Sequence, residues 1–281
     1  MADFPHTTVG GVSISRLLVG TNWFFGYSHT SAAKDKFIKS YMDRPRIAEI
    51  MAVFLEAGVD AVMGPLTPLM GEAARDAENR VGRKMHLIVT PHFNIRPGGP
   101  PEMEPEPVLD RCKEMGATFC FPHSSMVDAL VDRLNRTIRQ YDAYARMIRE
   151  RGMIPGLSTH LPDSVVIADE SGADVESYIQ LFNAAGFLMP VEVDWAMRVI
   201  ERAAKPVMTI KPLAAGRLLP AVGLGFVWNA IRDQDMVTIG TMTPDEAREV
   251  IDLSWAFLER RLPAHQLQYT RSKKGLEGAV S

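Results

Sequence analysis

Residues 47–63 read Ile47-Ala-Glu-Ile-Met-Ala-Val-Phe-Leu-Glu-Ala-Gly-Val-Asp-Ala-Val-Met63. Ile47, Ile50, Met51 and Phe54 recur at the spacing of one helical face and make an apolar stripe. Gly58 follows the stripe, where a helix ends with least strain in left-handed backbone. Asp60-Ala-Val-Met63 is then short and apolar, as a strand buried on both faces should be. A helix that hands directly to a buried strand is half of a β/α repeat.

The alternation extends both ways. A ribbon over Thr7–Ile14 comes first, with Gly10-Gly11 as a two-residue hairpin turn. Strands then read Leu17-Leu-Val-Gly20, Asp60–Met63, His86–Thr90, Ala117–Phe121, Met153–Leu157, Ser177–Phe182, Val207–Ile210 and Met236–Ile239. Val127, Leu130, Leu134, Ile138, Tyr141 and Ile148 predict one long helix ending at Gly152, and Thr243-Pro-Asp-Glu246 predicts a capped helix start. Eight such repeats without a composition break predict an α/β fold, a (β/α)8 TIM barrel with a short N-terminal hairpin that caps its bottom. No glycine-rich fingerprint follows the first strand, which argues against an open doubly wound sheet. The expected organisation is one barrel domain over 1–265 and a polar, frayed tail over 266–281.

With 281 residues, 46% of them hydrophobic and 23% charged, the chain has an ordinary globular composition. A formal net charge of −3 offers no footprint for nucleic acid or an anionic membrane. Apolar runs are strand-length, so no membrane span is expected. Cys112 and Cys120 are too few for a disulfide framework, and the N-terminus lacks the pattern of a secretory leader. These readings predict a cytoplasmic protein whose partner is a small-molecule substrate. Nothing in the sequence sets an oligomeric state.

A barrel of this kind builds its site at the C-terminal ends of its strands. Those ends carry Asn22 and Trp23, Met63, His92, His123, Ser158 with His160, Gln180 with Asn183, Lys211, and Gly240-Thr241. His123 is the expected acid/base or orienting group. Lys211 is read as an electrostatic partner: a cation for a carboxylate or phosphate, a proton carrier, or a Schiff-base amine. Asn22, Trp23, Ser158, Gln180 and Asn183 are the expected substrate-binding walls. His92, His123 and His160 end consecutive strands and could converge on a divalent metal. The first loop is long and aromatic, with Trp23, Phe24, Phe25 and Tyr27, and reads as a lid or a substrate wall. Cys120 and Glu72 read as structural, and His6, His29, His86 and His265 have no supporting constellation.

Six segments resemble, in order, those of the aldo-keto reductases. They are Ser15-Arg-Leu-Leu-Val-Gly-Thr21, Glu56-Ala-Gly-Val-Asp60, Phe121-Pro-His123, Gly156-Leu-Ser-Thr159, Gln180-Leu-Phe-Asn183 and Lys211-Pro-Leu-Ala-Ala-Gly-Arg-Leu218. The resemblance implies the barrel, and in the family itself NADPH-dependent carbonyl reduction by a tyrosine, a lysine, an aspartate and a histidine. Only His123 matches that set. Met63 stands at the aspartate position, Gly64-Pro-Leu-Thr-Pro68 offers no tyrosine, and Pro91 follows Thr90 where the family has lysine. Glu246 falls where the family has an arginine for the 2′-phosphate, with Arg248 nearby. The reading is therefore an enzyme on a small polar metabolite, a sugar derivative or oxo-acid, with non-redox lyase, isomerase or hydrolase chemistry. A divalent metal is favoured over NAD(P) as its cofactor. The alternatives are an NAD(P)-dependent oxidoreductase whose proton comes from a group such as Tyr27, and a non-catalytic ligand-binding barrel.

Overall fold

The structure is a computed structural model that describes residues 3–93, 103–265, 268 and 270–276. Eight parallel strands form a ring: β1 Leu17–Gly20, β2 Ala61–Gly64, β3 His86–Val89, β4 Ala117–Cys120, β5 Ile154–Ser158, β6 Tyr178–Leu181, β7 Val207–Ile210 and β8 Met236–Ile239. The last strand pairs with the first, Val237 opposite Leu17 and Ile239 opposite Val19. β5 is two dipeptides. Ile154–Pro155 pairs with β4 and Leu157–Ser158 with β6, so Gly156 carries the closure of the ring.

Glycine is required there. A Cβ on Gly156 would lie 2.2 Å from the Phe121 ring, and the Tyr141 hydroxyl donates to the Gly156 carbonyl from the other side. Strand alternation sorts the remaining side chains. Leu18, Ala61, Met63, Ile88, Phe119, Phe121, Ile179, Met208 and Met236 fill the barrel interior. Leu17, Val19, Val62, Leu87, Val89, Cys120, Tyr178, Val207 and Val237 pack against the helix layer, so Cys120 lies in the outer core beside Cys112.

The hairpin pairs His6–Val9 with Val12–Ser15, and Gly10 and Gly11 at φ +55 and +82 supply its turn. Val9 and Ile14 pack into the interior cluster and close the bottom. Asp60 fastens the hairpin, accepting from the Ser15 amide at 2.9 Å and meeting His6 Nε2 at 3.1 Å.

Eight helices surround the ring: α1 Arg44–Glu56, α2 Pro68–Val81, α3 Pro105–Met115, α4 Tyr141–Glu150, α5 Pro162–Ser171, α6 Val193–Arg202, α7 Pro220–Ala230 and α8 Pro244–Glu259. α1 ends before Gly58 at φ +80, and the Thr243 hydroxyl caps α8 by accepting from the Glu246 amide. Arg44 donates to Glu72 and Asp76, tying α1 to α2 and giving Glu72 its structural role. Ahead of α1, the first loop folds into a turn at Asn22–Phe25 and a helix at Ala32–Tyr41.

The long helix predicted through 127–152 is broken. A short helix, Ser124–Leu130, leads into a tiny hairpin of Val131–Asp132 and Thr137–Ile138, and only then does α4 begin. The Asp132 carboxylate accepts from the amides of Leu134 and Asn135 and from the Asn135 side chain. That local turn outcompetes helix and leaves Leu134 91% exposed. In the tail, Arg271–Leu276 forms a 3₁₀ turn, while residues 266, 267, 269 and 277–281 lie outside the described residues. Among the described residues no helix is long and apolar enough to cross a membrane.

Gly156→Ala tests the closure. Its methyl group must displace the Phe121 ring, and overpacking of this kind costs about 1–3 kcal/mol. Chemical denaturation should show that loss, and Phe121→Leu in the same chain should recover part of it.

Candidate active site

Lys211 follows β7 in left-handed backbone, φ +62, held in place by Pro212 and the turn behind it. Its ammonium donates to His29 Nε2 at 2.9 Å. Asn22 Nδ2 approaches the same nitrogen at 3.4 Å. With donors facing it, Nε2 carries a lone pair and the neutral ring keeps its proton on Nδ1. Arg217, lying over the Phe187 ring at 4.0 Å, reaches the His29 carbonyl at 3.4 Å. Among the described residues Lys211 has no carboxylate partner, and burial pushes its pKa down to about 8. Partial loss of hydration, then the Lys211 charge, holds His29 below its ordinary value against the pull of Asp35.

His123 caps the helix Ser124–Leu130. Its Nδ1 accepts from the Ser125 amide at 3.2 Å, so the neutral ring is protonated on Nε2. The Ser125 hydroxyl bridges His123 Nδ1 at 3.0 Å and His92 Nδ1 at 3.2 Å, and the two imidazoles lie with centroids 3.9 Å apart and planes tilted by 30°. His160 follows β5, where its amide and the Thr159 hydroxyl both donate to Asp128. Burial pushes the His123 pKa down to about 4, helped by the charges of His92, His160 and Lys211. His160 is also pushed to about 4, by burial and then by Lys211 and His29. Burial lowers His92 too, and it raises Asp128. The mouth therefore holds four imidazoles kept neutral near pH 7 and one amine close to its titration point.

His29, Arg217 and Asp128 were not singled out by the sequence. The aromatic first loop was the available signal for His29, but its contact with Lys211 spans 182 residues. Of the expected walls, Asn22 joins the cluster, and Trp23 packs where a Cβ on Gly240 would meet its ring at 2.9 Å, beside β8. Ser158 pairs in register with the inward-facing Ile179. Gln180 and Asn183 are placed differently. Gln180 alternates with Ile179 and so turns toward the helix layer, with both amide atoms unpartnered. Asn183 spends its amide on the main chain of Phe187, donating at 3.1 Å and accepting at 2.8 Å.

The histidine trio does not form a metal centre. Among the described residues no three His, Cys, Asp or Glu side chains are grouped to hold an ion. The reason at His123 is local. Ligation through Nε2 would move the proton to Nδ1, where it would face the Ser125 N–H.

No protein-family model matches the sequence, and no curated protein does. Solved structures do match over nearly the whole chain. A Pseudomonas aeruginosa protein assigned to the aldo-keto reductases aligns with TM-score 0.63 and 14% identity, covering 91% of this chain and 97% of its own. An aldo-keto reductase from Brucella melitensis aligns with TM-score 0.57 at 12% identity, over 94% and 95%. One from a Medee basin deep-sea metagenome gives 0.58 at 9%, over 96% and 99%. The fold is an aldo-keto-reductase-like TIM barrel.

The positions that the sequence resemblance assigns to reduction and nucleotide binding are held by Met63, Pro91, Glu246 and Arg248. Met63 sits inside the barrel with the Thr238 hydroxyl 4.0 Å from its sulfur, and Pro91 is buried. At the α8 N-terminus the Glu246 carboxylate accepts from the Met242 amide at 2.6 Å. Arg248 is paired with Asp245 at 2.8 Å.

The depressed histidines have a measurable consequence. A group whose folded pKa lies near 4 against 6.5 unfolded gives full stability above pH 6.5 and loses it as pH falls toward 4. Thermal unfolding across that window should fall less steeply in a His123→Asn/His160→Asn variant than in the parent. Equal slopes would show that the imidazoles are not held neutral.

Proposed function

We propose that the chain is an enzyme acting on a small polar metabolite with a carbonyl group, a sugar derivative or oxo-acid, by proton transfer rather than hydride transfer. The observation that carries this reading is the Lys211 cation, free of any carboxylate among the described residues and faced by imidazoles held neutral. An ammonium in that setting attracts a substrate oxygen or carboxylate, and in a partly dehydrated mouth the attraction is stronger than in water. His29 Nε2 offers a lone pair for a proton, and His123 offers Nε2–H to an oxygen without first being charged. Abstraction of a proton next to a carbonyl, or cleavage of a neighbouring bond, needs that combination of base and electrostatic stabiliser. Ser158, Asn22 and Trp23 would line the approach.

A second reading is favoured by the names of the matching structures, which are aldo-keto reductases. NAD(P)H would supply hydride to the carbonyl when bound, and Tyr27, 50% exposed in the first loop, would have to replace the missing proton donor. Glu246 and Met63 weigh against this reading. A third reading, a ligand-binding barrel without turnover, uses the same mouth.

Titrating NADPH against tryptophan fluorescence, with Trp23 beside β8 as the reporter, should give no saturation at micromolar concentration. Saturation there, or NADPH oxidation with simple aldehydes, would establish the oxidoreductase instead. On the proposed reading, pyruvate or glycolaldehyde should raise the Tm of the parent chain, and Lys211→Ala should abolish that rise. A rise without hydrogen exchange at the carbon next to the carbonyl would select the non-catalytic barrel.

A further inference from the structure

The open cleft of roughly 500 Å³ between α2 and α3 is lined by Arg75, Glu78, Lys84 and Glu114, and Lys84 pairs with Glu78 at 3.2 Å. The exposed apolar side chains Leu188, Trp195, Leu219 and Val222 lie on the α6 and α7 side, with nothing to say what covers them. The thiols Cys112 and Cys120 are fully buried. The contact of Lys211 with His29 reaches further than any of these.

We propose that Lys211 is a covalent catalyst whose Nζ forms an imine with the carbonyl carbon of a small aldehyde, ketone or 2-oxo-acid, with His29 Nε2 carrying the proton. The inference rests on the proposed non-redox reading and names the chemistry of that site. Its basis is geometric. The amine and the imidazole lone pair are 2.9 Å apart, within proton-transfer distance, and no carboxylate holds the ammonium in its charged form among the described residues. Lysines used for electrostatics alone are stabilised as cations by acids, whereas a nucleophilic lysine is desolvated or set among other basic groups. Here the neighbours are His29, whose carbonyl Arg217 reaches, and the imidazoles of His123 and His160, which feel the Lys211 charge. The left-handed backbone at Lys211 is a strained state for a non-glycine residue, and such strain gathers at functional sites.

The step balances within these groups. The ammonium gives one proton to His29 Nε2, and the free amine attacks the carbonyl carbon as the C=O π pair moves to oxygen. The new C–N bond leaves nitrogen with an extra proton, which passes to that oxygen and completes a carbinolamine. His29 returns its proton to the hydroxyl, the C–O bond breaks and water departs. One ammonium and one carbonyl compound thereby become one protonated imine and one water, with no oxidant or reductant consumed. The cationic nitrogen is then an electron sink for loss of a proton, or of a carbon fragment, from the adjacent carbon. A lysine acting only as a point charge could not provide that sink.

Borohydride trapping tests the proposal on the full chain with glyoxylate, pyruvate and glycolaldehyde as probes. Peptide mass mapping after reduction should find the secondary amine at Lys211 well ahead of every other lysine. Lys211→Arg keeps the charge and should lose the adduct. His29→Phe should slow trapping on the order of a hundredfold while leaving Lys211 the labelled residue. Failure of all three probes to label Lys211 above the surface lysines overturns the imine, as does labelling unaffected by Lys211→Arg. If the probes still raise the Tm of the parent chain, the proton-transfer reading survives that failure. If they consume NADPH, it is the non-redox reading that falls.

Discussion

The fifth strand is two dipeptides that pair with different neighbours, and the residue between them has no side chain. Gly156 lets the Phe121 ring come to where a Cβ would stand, and the Tyr141 hydroxyl fixes the carbonyl of that same residue. Two histidines depend on this contact. Phe121 leads through Pro122 into His123 at the start of a helix, and Gly156 leads through Leu157 and Ser158 to Thr159 and His160. A shift of the ring would move both imidazoles relative to β7, because close-packed interiors transmit displacement rather than absorb it. Closure of the barrel and placement of the site are thus one packing problem.

The electrostatics of the mouth follow from the residue types placed there. A buried ion pair at Lys211 would have been held by its own Coulomb attraction and made inert toward substrate. Without one, burial acts unopposed: the amine is drawn toward neutrality and the imidazoles lose their protons. Arrival of a carboxylate would change this balance. Two unit charges 4 Å apart interact by about 4 kcal/mol at an effective dielectric of 20. An anionic ligand would therefore raise the affinity of Lys211 and the histidines for protons. The ligand would tune its own acid–base groups, which suits proton transfer better than hydride delivery.

How much of this was legible depends on distance along the chain. Strand positions were readable because each strand is a short apolar run bounded by turn residues, and a barrel puts its site at strand ends whatever its chemistry. The helix predicted through Leu134 failed because a 3.6-residue period was matched by coincidence, while Asp132 and Asn135 offered the backbone a better local turn. Gln180 could have been assigned by counting alternation from Ile179. Asn183 could not, since its partner Phe187 lies in an irregular loop. For His29 the aromatic first loop pointed to the region but not to the contact, because no periodicity links a first-loop residue to the seventh strand.

Met63 and Pro91 constrain the mouth through the same interior. An aspartate in place of Met63 would put a carboxylate among Leu18, Ile88 and Phe119, with the Thr238 hydroxyl in reach and no cation paired to it. An unpaired charge in such a place costs several kcal/mol. Lysine at position 91 would relieve that cost, but the residue there is a buried proline whose carbonyl accepts from the His123 amide. An aspartate at position 63 and a lysine at position 91 could therefore be accommodated only together. With strands two and three committed to packing, the groups proposed to move a proton are Lys211 and His29, where β7 meets the first loop, and His123 beyond β4. On the proposed proton-transfer reading, the charge this mouth tolerates is the one at Lys211, which has no carboxylate partner among the described residues.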